Sequence, residues 1–407
     1  MEEFPVINLG DISFNSLLNG ILAVVFAAFM AYATTPIVRV IAYRIGAIDV
    51  PKDNRRMHKV PTPRLGGLAI YFAFVLSVIL FYETTNTTIA MLVGCTIIVI
   101  MAMLDDVFKL SAVIRFIIQI AAAVVVISQG VLIERINIFG QYIHFGYLSI
   151  PITIVWIVGL TNAVNFIDGL DGLACGLSSI SSVSLLVVTL IIGDYQVALL
   201  IAILAGSCLG FLPFNVNPAK IFAGDTGAMF LGFILSVVSI QGVFKTHAVL
   251  TFIIPFLILG VPIFDTLFAI VRRLLTGRHP FSADRGHLHH RLVDMGFTHK
   301  QAVRILYAVS ALLGISSIMF VTQKIVFALI IISISLGISV VTWIIIKNEK
   351  WRVESGLISE DELEEYKHSQ DLLNDPETIK AIEDATVNLL EEPKPAASSE
   401  ENNQIIN

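Results

Sequence analysis

The apolar residues of this chain occur in long runs, which short polar links separate. Runs of roughly twenty apolar residues have the length at which an α-helix crosses the hydrocarbon core of a bilayer. The pattern predicts about eleven membrane-spanning helices. They begin near Leu17, Leu65, Thr88, Ala112, Ile150, Leu173, Asp194, Thr226, Ala248, Val303 and Lys324. The predicted fold class is therefore an all-α polytopic membrane protein, with a transmembrane domain over residues 1–346.

Two segments add detail to this pattern. The first apolar run, from about Leu17 to Tyr43, is too long for the core of a signal peptide, so we interpret it as a retained helix. In the link before the fifth helix, residues 131–136 and 142–147 alternate between apolar and polar around a turn at Phe139-Gly140-Gln141. This link predicts one short β-hairpin on the external face.

Composition supports a membrane protein, because 56% of the residues are hydrophobic and only 14% are charged. A soluble domain carries about a quarter charged residues. The net charge of -6 is misleading, since half of the 32 acidic residues lie in a tail over residues 347–407. The rest of the chain is mildly basic, which suits anionic lipids and substrates, although positive loops on the cytoplasmic side explain it equally well. We expect the acidic tail to be cytoplasmic, partly helical and then disordered.

The positions of Lys and Arg predict the orientation. Two loops carry 12 of the 20 basic residues that precede the acidic tail, and an even number of predicted helices separates these loops. The basic residues are Arg44, Lys52, Arg55, Arg56, Lys59 and Arg64 in the first loop, and Arg272, Arg273, Arg278, Arg285, Arg291 and Lys300 in the second. Because basic loops stay in the cytoplasm, we expect the N-terminus outside, the C-terminus inside and the cell (plasma) membrane as the location.

Acidic residues at helix ends form a second, independent pattern. A carboxylate at the bilayer centre costs about 2.5–3.5 kcal/mol, so acids at the ends of predicted helices need a reason. Six of them fall on the side that the basic residues make cytoplasmic. They are Asp105, Asp106, Asp168, Asp171, Asp225 and Asp265. The agreement of the two patterns predicts a polar site at the cytoplasmic face.

Two acidic motifs are candidates for catalysis. In the first, Asp105 and Asp106 precede Lys109. Helix capping accounts for one aspartate, whereas two adjacent acids beside a lysine better suit a cation and a phosphate. The second motif runs from Asn162 to Gly172 and contains two Asp-Gly pairs. A tight turn favours such pairs, but two Asn and two Asp together also supply many oxygen ligands.

A polar loop leads to the sequence Gly224-Asp225-Thr226-Gly227. Glycine lets a backbone approach a ligand closely, and Mg²⁺ prefers one or two carboxylates together with substrate phosphates. Asp225 is therefore a candidate ligand of Mg²⁺, for which Mn²⁺ could substitute. The ring of Phe222 could stack on a nucleotide base, and packing at the membrane interface is the alternative for this residue.

The second basic loop contains the segment Asp284-Arg285-Gly286-His287-Leu288-His289-His290-Arg291. Three histidines within four positions, flanked by arginines, favour contact with an anion such as phosphate. Zinc binding is the weaker interpretation, because the three cysteines are isolated in apolar runs and supply no matching ligand pair. The first basic loop ends in Pro61-Thr62-Pro63-Arg64-Leu65-Gly66-Gly67, and its charge does not explain this layout of prolines and glycines.

Together these motifs resemble the polyprenyl-phosphate N-acetylhexosamine-1-phosphate transferase family, over nearly the whole chain from about Arg44 to Gly296. In that family a lipid phosphate is joined to the sugar-phosphate of a UDP-sugar, and UMP is released. The resemblance implies catalytic roles for Asp105, Asp106, Lys109, Asp168, Asp171, His287, His289 and His290. It implies substrate contacts for Lys59, Asn165, Asn215, Phe222 and Arg285, and a magnesium ligand in Asp225.

The form of the histidine motif bears on the sugar. Leu288 interrupts the histidines, which resembles members that use UDP-N-acetylglucosamine to start teichoic acids or similar envelope polymers, with undecaprenyl phosphate as acceptor. Family members that use UDP-muramoyl-pentapeptide instead have a continuous run of three histidines. Transfer from that donor is the alternative function. A transporter of a polar solute is a rival of another class, but it predicts inverted repeats, and none is evident. We expect no nucleic-acid partner, and a homodimer is left open.

Overall fold

The computed structural model describes residues 14–49, 61–138, 141–244, 253–277 and 287–354. Most of these residues are helical. The helices are α1 (Phe14–Arg44), α2 (Gly67–Phe81), α3 (Asn86–Phe108), α4 (Ala112–Ile127), α5 (Ser149–Ile167), α6 (Leu173–Ile192), α7 (Tyr195–Asn215), α8 (Gly224–Ser239), α9 (Ile253–Ile258), α10 (Gly260–Leu275), α11 (Leu288–Asp294), α12 (His299–Val321) and α13 (Ile325–Glu354). The strands are β1 (Ile48–Asp49), β2 (Thr62–Pro63), β3 (Arg135–Ile138) and β4 (Gln141–His144).

The prediction of a polytopic helical membrane protein is confirmed. Seven helical segments in the described ranges, those containing α1, α3, α5, α6, α7, α8 and α12, are long and apolar enough to cross a membrane. The helices α2, α4 and the first part of α13 are apolar but shorter. The count of eleven crossings and the orientation of the termini therefore stay predictions.

The chain divides into two compact units, Met1–Trp343 and Ile344–Asn407. The boundary between domains that we placed after residue 346 stays a prediction, as does the character of the acidic tail. Most of that tail lies outside the described residues.

The ninth predicted helix is not continuous. The predicted start near Ala248 lies outside the described residues, and from residue 253 onward the chain forms α9 and α10, which meet at Leu259. Pro262 has no backbone N–H to donate to the carbonyl of Ile258, four residues earlier. The hydroxyl of Ser181 on α6 donates to that carbonyl over 2.9 Å. An unpaired carbonyl is costly in an apolar interior, so the hydroxyl stabilises the break.

Helix α8 lies at the centre of the bundle. Every residue from Thr226 to Ser239 is buried, because α8 packs against α2, α3, α5, α6 and α7. A helix that is apolar on all sides is typical of the interior of a membrane bundle. This position makes the start of α8 a fixed point around which the ends of other helices gather.

Small residues bring α1 and α7 close together. Gly206 and Gly210 of α7 are four residues apart and face α1, where Ala27 and Ala28 lie. A Cβ atom on Gly210 would come within 2.1 Å of the carbonyl oxygen of Ala28. Close backbone approach at such small residues is how apolar helices gain packing energy in a membrane.

Two small antiparallel sheets complete the described structure. Strands β3 and β4 pair with Arg135 opposite His144, which confirms the predicted β-hairpin. Strands β1 and β2 pair with Ile48 opposite Pro63, and no pattern in the sequence predicted them. This second pair ties the end of α1 to the segment before α2, next to the polar end of the bundle.

Candidate active site

The helix ends that carry the acidic motifs meet at one end of the bundle. The amide of Asn165, near the end of α5, donates to the Asp225 carboxylate over 2.9 Å. The hydroxyl of Thr226, in the first turn of α8, donates to the carboxylate of Asp106, near the end of α3, over 2.9 Å. Three motifs that are far apart in the sequence therefore form one polar cluster.

The Pro-Thr-Pro-Arg-Leu-Gly-Gly segment supports this cluster through its backbone. The amide of Phe222 donates to the carbonyl of Pro63 over 2.8 Å, and the carbonyl of Phe222 accepts from Gly66 over 2.9 Å. The amide of Gly67 donates to Ala223 over 2.9 Å. These bonds hold the loop before Asp225 like an extra strand, which accounts for a layout that charge alone did not explain.

Glycine is required where these two segments touch. A Cβ atom on Gly67 would lie 2.0 Å from the backbone nitrogen of Gly227. Gly224 adopts a φ of +70°, and a Cβ atom there would lie 1.9 Å from the carbonyl oxygen of Arg64. A larger residue at either position would push the two segments apart and displace Asp225.

Asp168 lies just beyond α5 and is partly buried. Burial, followed by the charges of Asp225, Asp106 and Asp171, raises the pKa of Asp168 to about 8, while the charge of Arg64 lowers it. The cluster therefore holds more carboxylates than its own cations neutralise, which favours an incoming positive charge.

Asp171 binds the loop that precedes α8. Its Oδ2 atom accepts from the side-chain amide of Asn217 and from the backbone amide of Ala219, each over 3.0 Å. The hydroxyl of Tyr307 on α12 donates to the carbonyl of Gly172 over 2.6 Å and fixes the same turn. These contacts give Asp171 a role in shaping the site, and its predicted catalytic role stays a prediction.

Asp105 is buried and already has strong partners. It accepts from the backbone of Leu110 over 2.7 Å and forms an ion pair with Arg115 over 2.8 Å. It also interacts with the nearby carboxylate of Asp225. Lys109, which belongs to the same motif, is exposed at the end of α3 in the left-handed backbone conformation, and its catalytic role stays a prediction. The described structure therefore places Arg115, rather than Lys109, on Asp105.

Two of the predicted substrate contacts border the loop before α8: Asn215 is the last residue of α7, and Phe222 lies in the loop. Asn215 is buried, its amide donates to the carbonyl of Ile221 over 3.0 Å, and its Oδ1 atom has no hydrogen-bond donor among the residues that the structure describes. Phe222 is partly buried. Asn215 thus holds the loop in shape, and contact of either side chain with a base stays a prediction.

The histidine motif begins the short helix α11 and packs on the second acidic motif. The ring of the buried His289 lies so close to Gly169 that a Cβ atom there would be 2.0 Å from Nε2. Burial, then the neighbouring His290, lowers the pKa of His289 to about 3, so this ring stays neutral. In the described ranges neither ring nitrogen of His289 has a hydrogen-bond partner.

His287 is held from α10. Its Nδ1 atom lies 2.9 Å from Oδ2 of Asp265, and the backbone amide of Leu288 donates to Oδ1 of the same carboxylate over 2.7 Å. The ring centroid of His287 is 5.8 Å from that of Phe166, which lies between Asn165 and Asp168 in the sequence. The histidine motif and the second acidic motif are therefore neighbours, as their proposed joint role requires.

Two predicted substrate contacts, Lys59 and Arg285, lie outside the described residues. Neither Arg64 nor Arg115 was among the predicted site residues. Arg64 pairs with Asp49 of β1, and its charge acts on Asp168. There was little reason in the sequence to select these two arginines, since basic residues are common near the cytoplasmic ends of membrane helices for reasons of topology alone.

The acidic cluster fits a divalent cation that substrate phosphates help to bind. Within the described ranges, no three side chains of His, Cys, Asp or Glu converge closely enough to enclose an ion by themselves. Mg²⁺ does not need such a cage, because it commonly uses one or two carboxylates, water and phosphate oxygens. Asp225 and its acidic neighbours could supply these carboxylates.

Comparison with known proteins agrees with this arrangement. Residues 88–243 match the model of glycosyl transferase family 4. The chain is 40% identical over 320 residues to a probable undecaprenyl-phosphate N-acetylglucosaminyl 1-phosphate transferase of Bacillus subtilis, covering 77% of this chain and 88% of the relative. It is 36% identical over 314 residues to a decaprenyl-phosphate N-acetylglucosaminephosphotransferase of Mycolicibacterium smegmatis, covering 69% and 77%.

A relative with lower sequence identity carries a name that refers to another sugar. The chain is 30% identical over 279 residues to a phospho-N-acetylmuramoyl-pentapeptide-transferase of Staphylococcus aureus, covering 64% of this chain and 85% of the relative. The family match begins at Thr88 in α3 and continues past the end of α8, so it contains the helix ends that form the acidic cluster. Because the similarity to the Bacillus subtilis protein extends over most of both sequences, the chain belongs to glycosyl transferase family 4.

Proposed function

We propose that this protein transfers N-acetylglucosamine-1-phosphate from UDP-N-acetylglucosamine to undecaprenyl phosphate and releases UMP. The transfer is the first membrane step in the synthesis of an envelope polymer such as teichoic acid. The protein lies in the plasma membrane with about eleven crossings, an external N-terminus and a cytoplasmic C-terminus. Its active site faces the cytoplasm, where a soluble donor meets a lipid acceptor.

One observation carries the proposal. The carboxylates of Asp106, Asp168 and Asp225 meet at one end of an apolar bundle, and the histidine motif packs beside them. Such a site combines acids that attract a cation with basic side chains that suit phosphate. The names of the relatives from Bacillus subtilis and Mycolicibacterium smegmatis support N-acetylglucosamine as the sugar.

The chemistry asks the protein mainly to position two anions and to stabilise their charge. An oxygen of the lipid phosphate forms a bond to the phosphorus that carries the sugar, and the bond from this phosphorus to the bridging oxygen breaks. The second pKa of a phosphate monoester is near 6, so the lipid phosphate is mostly dianionic at neutral pH and needs no strong base. Repulsion between the substrates is the main obstacle.

The residues of this chain divide that task. Asp225, oriented by Asn165, would hold Mg²⁺ together with the neighbouring carboxylates, and the ion would neutralise charge on the phosphates. His287 and His290 lie on the side of the cluster next to the second acidic motif, where they would contact the pyrophosphate of the donor. Asp171 and the backbone of Gly66 and Gly67 keep the loop before Asp225 in place.

Donor selection by the purified full-length chain tests this function. The protein in detergent receives undecaprenyl phosphate, Mg²⁺ and either UDP-N-acetylglucosamine or UDP-muramoyl-pentapeptide, and UMP release is followed. We expect UMP with the first donor, no UMP with the second, and no UMP when Mg²⁺ is removed by a chelator.

The other results separate the alternatives. Release from the muramoyl donor alone would overturn the sugar and keep the family. If the protein is folded and neither donor gives UMP, the proposed function would fail. That result would favour a transporter, which releases no UMP.

A further inference from the structure

The carboxylate of Asp265 joins two parts of the histidine motif. One oxygen lies 2.9 Å from Nδ1 of His287, and the other accepts the backbone amide of Leu288 over 2.7 Å. The side chains of Asp265 and His287 are 1% and 9% exposed. A buried contact of this kind, made across 22 residues of sequence, fixes the ring more firmly than an exposed pair would.

The same contact determines which nitrogen of His287 can meet a ligand. An ionised carboxylate only accepts hydrogen bonds, so the proton in the pair comes from Nδ1. Nε2 is then the ring nitrogen that can face another group. Nε2 accepts a hydrogen bond when it carries no proton, and it donates one to an anion when the ring is doubly protonated.

The ring of His287 lies next to the second acidic motif. Its ring is 5.8 Å from Phe166 and 6.0 Å from His289, whose own ring presses on Gly169 between Asp168 and Asp171. Asp265 itself lies on α10, three residues after Pro262. A buried acid on a helix that follows a break thus aligns a histidine that directly precedes another helix.

We propose that Asp265 is a positioning residue for phosphoryl transfer, which fixes the orientation and the protonated nitrogen of His287. This inference rests on the proposed function, because its effect is measured as UMP release. The competing explanation is purely structural, since Asp265 also accepts the first amide of α11 and thereby stabilises the start of that helix.

The variant Asp265→Asn separates the two explanations. Its Oδ1 atom can still accept from Leu288, so the start of α11 is retained. Its amide must donate to Nδ1 of His287, which moves the ring proton to Nε2. We expect kcat to fall about 10- to 100-fold, as for other histidines that lose an orienting carboxylate, with a smaller change in the KM of UDP-N-acetylglucosamine and an unchanged thermal transition.

A double-variant cycle shows whether Asp265 acts through His287. We expect Asp265→Asn to cause no further loss in the background of His287→Ala, because the ring that it positions is gone. Losses that multiply in the double variant would overturn the proposal. A second pair of results would also overturn it: nearly normal kcat in Asp265→Asn, together with a lowered thermal transition in Asp265→Ala. Those results would show that Asp265 has a structural role alone.

A spectroscopic measurement tests the wild-type protein directly. Nitrogen-15 spectra of histidine-labelled protein, compared with those of His287→Ala, identify the ring signals of His287. A protonated Nδ1 is expected, and a neutral ring protonated only on Nε2 would overturn the proposal even if Asp265→Asn failed to fold. If the wild-type protein released no UMP, the proposed function would fail while the spectrum still tested the contact.

Discussion

Two aspartates near the starts of helices in the same bundle have opposite surroundings. Asp194 precedes α7 and accepts the backbone amide of Val197 over 3.0 Å, so it serves the helix that it begins. Asp225 lies in the first turn of α8 and instead accepts from Asn165 on α5. It also interacts with the carboxylate of Asp105. Both residues are aspartates, but only Asp194 accepts a hydrogen bond from the backbone of the helix that it begins.

The two ends of the bundle differ in the same way. Around Asp194, the helices α1, α6 and α7 and the end of α2 border a crevice of about 530 Å³, lined mostly by apolar side chains. Around Asp225, polar side chains from several helices contact one another, and glycines bring the backbones together. The carboxylate that caps a helix already has a hydrogen-bond donor, whereas the crowded carboxylates carry negative charge that a cation can neutralise.

Exchange of the two aspartates for asparagine gives the largest expected contrast. Asp225→Asn removes a carboxylate from the cluster, and UMP release should fall on the order of 10³-fold because charge stabilisation is lost. Asp194→Asn is the matched control, since asparagine caps a helix about as well as aspartate. Its activity should stay within about twofold of wild type. Comparable losses in both variants would show that the contrast between the two ends has no functional meaning.

Glycine substitutions should distinguish the two ends by packing. In Gly67→Ala the new Cβ atom would meet the backbone of Gly227 at 2.0 Å, so the loop at Asp225 must move. We expect a loss of activity on the order of tenfold or more and a lower thermal transition. Gly20→Ala, at the crevice, meets nothing within 4 Å and should be neutral or slightly stabilising, because alanine favours a helix. A tolerated Gly67→Ala would contradict the close approach of the two segments.

The smallest expected effect is a dependence of stability on pH. In the folded protein the pKa of Asp168 is raised to about 8, whereas an aspartate in the unfolded chain has a pKa near 3.8. Between these two values the folded protein keeps a proton that the unfolded chain has released. Stability should therefore fall as the pH rises from 4 to 8. Asp168→Asn removes this dependence, so its thermal transition should exceed that of wild type by a few degrees at pH 8 and by less at pH 5, without divalent cations. Equal differences at the two pH values would argue against the crowding of charges.

Much of the fold followed from local pattern. The apolar runs predicted the helices, and alternation around Gly140 predicted the β3–β4 hairpin, because both signals depend on residues that are neighbours in sequence. The break between α9 and α10 was missed. Its signal, Pro262, was present, but the hydroxyl that compensates for it comes from Ser181 on another helix. The pairing of β1 with β2 was missed for a similar reason, since two residues on each side leave no periodic pattern.

The candidate site shows the same limit. The motifs showed that Asp105, Asp106, Asp168 and Asp225 should gather at one face, since each lies at the end of an apolar run. Only packing decided that Arg115 pairs with Asp105 and that Asp171 holds the loop of Asn217. A side chain's partner depends on which helices are neighbours, and sequence spacing within one helix does not contain that information.

By itself, therefore, the sequence determined which segments are apolar enough for a membrane and which polar residues are costly enough to need a function. These are properties of single residues and of their spacing along one helix. The tertiary structure decided which of those polar residues satisfy each other and which remain crowded. Asp265 shows the difference, because its place at the end of a predicted helix marked it as unusual, while its contact with His287 exists only where α10 and α11 meet.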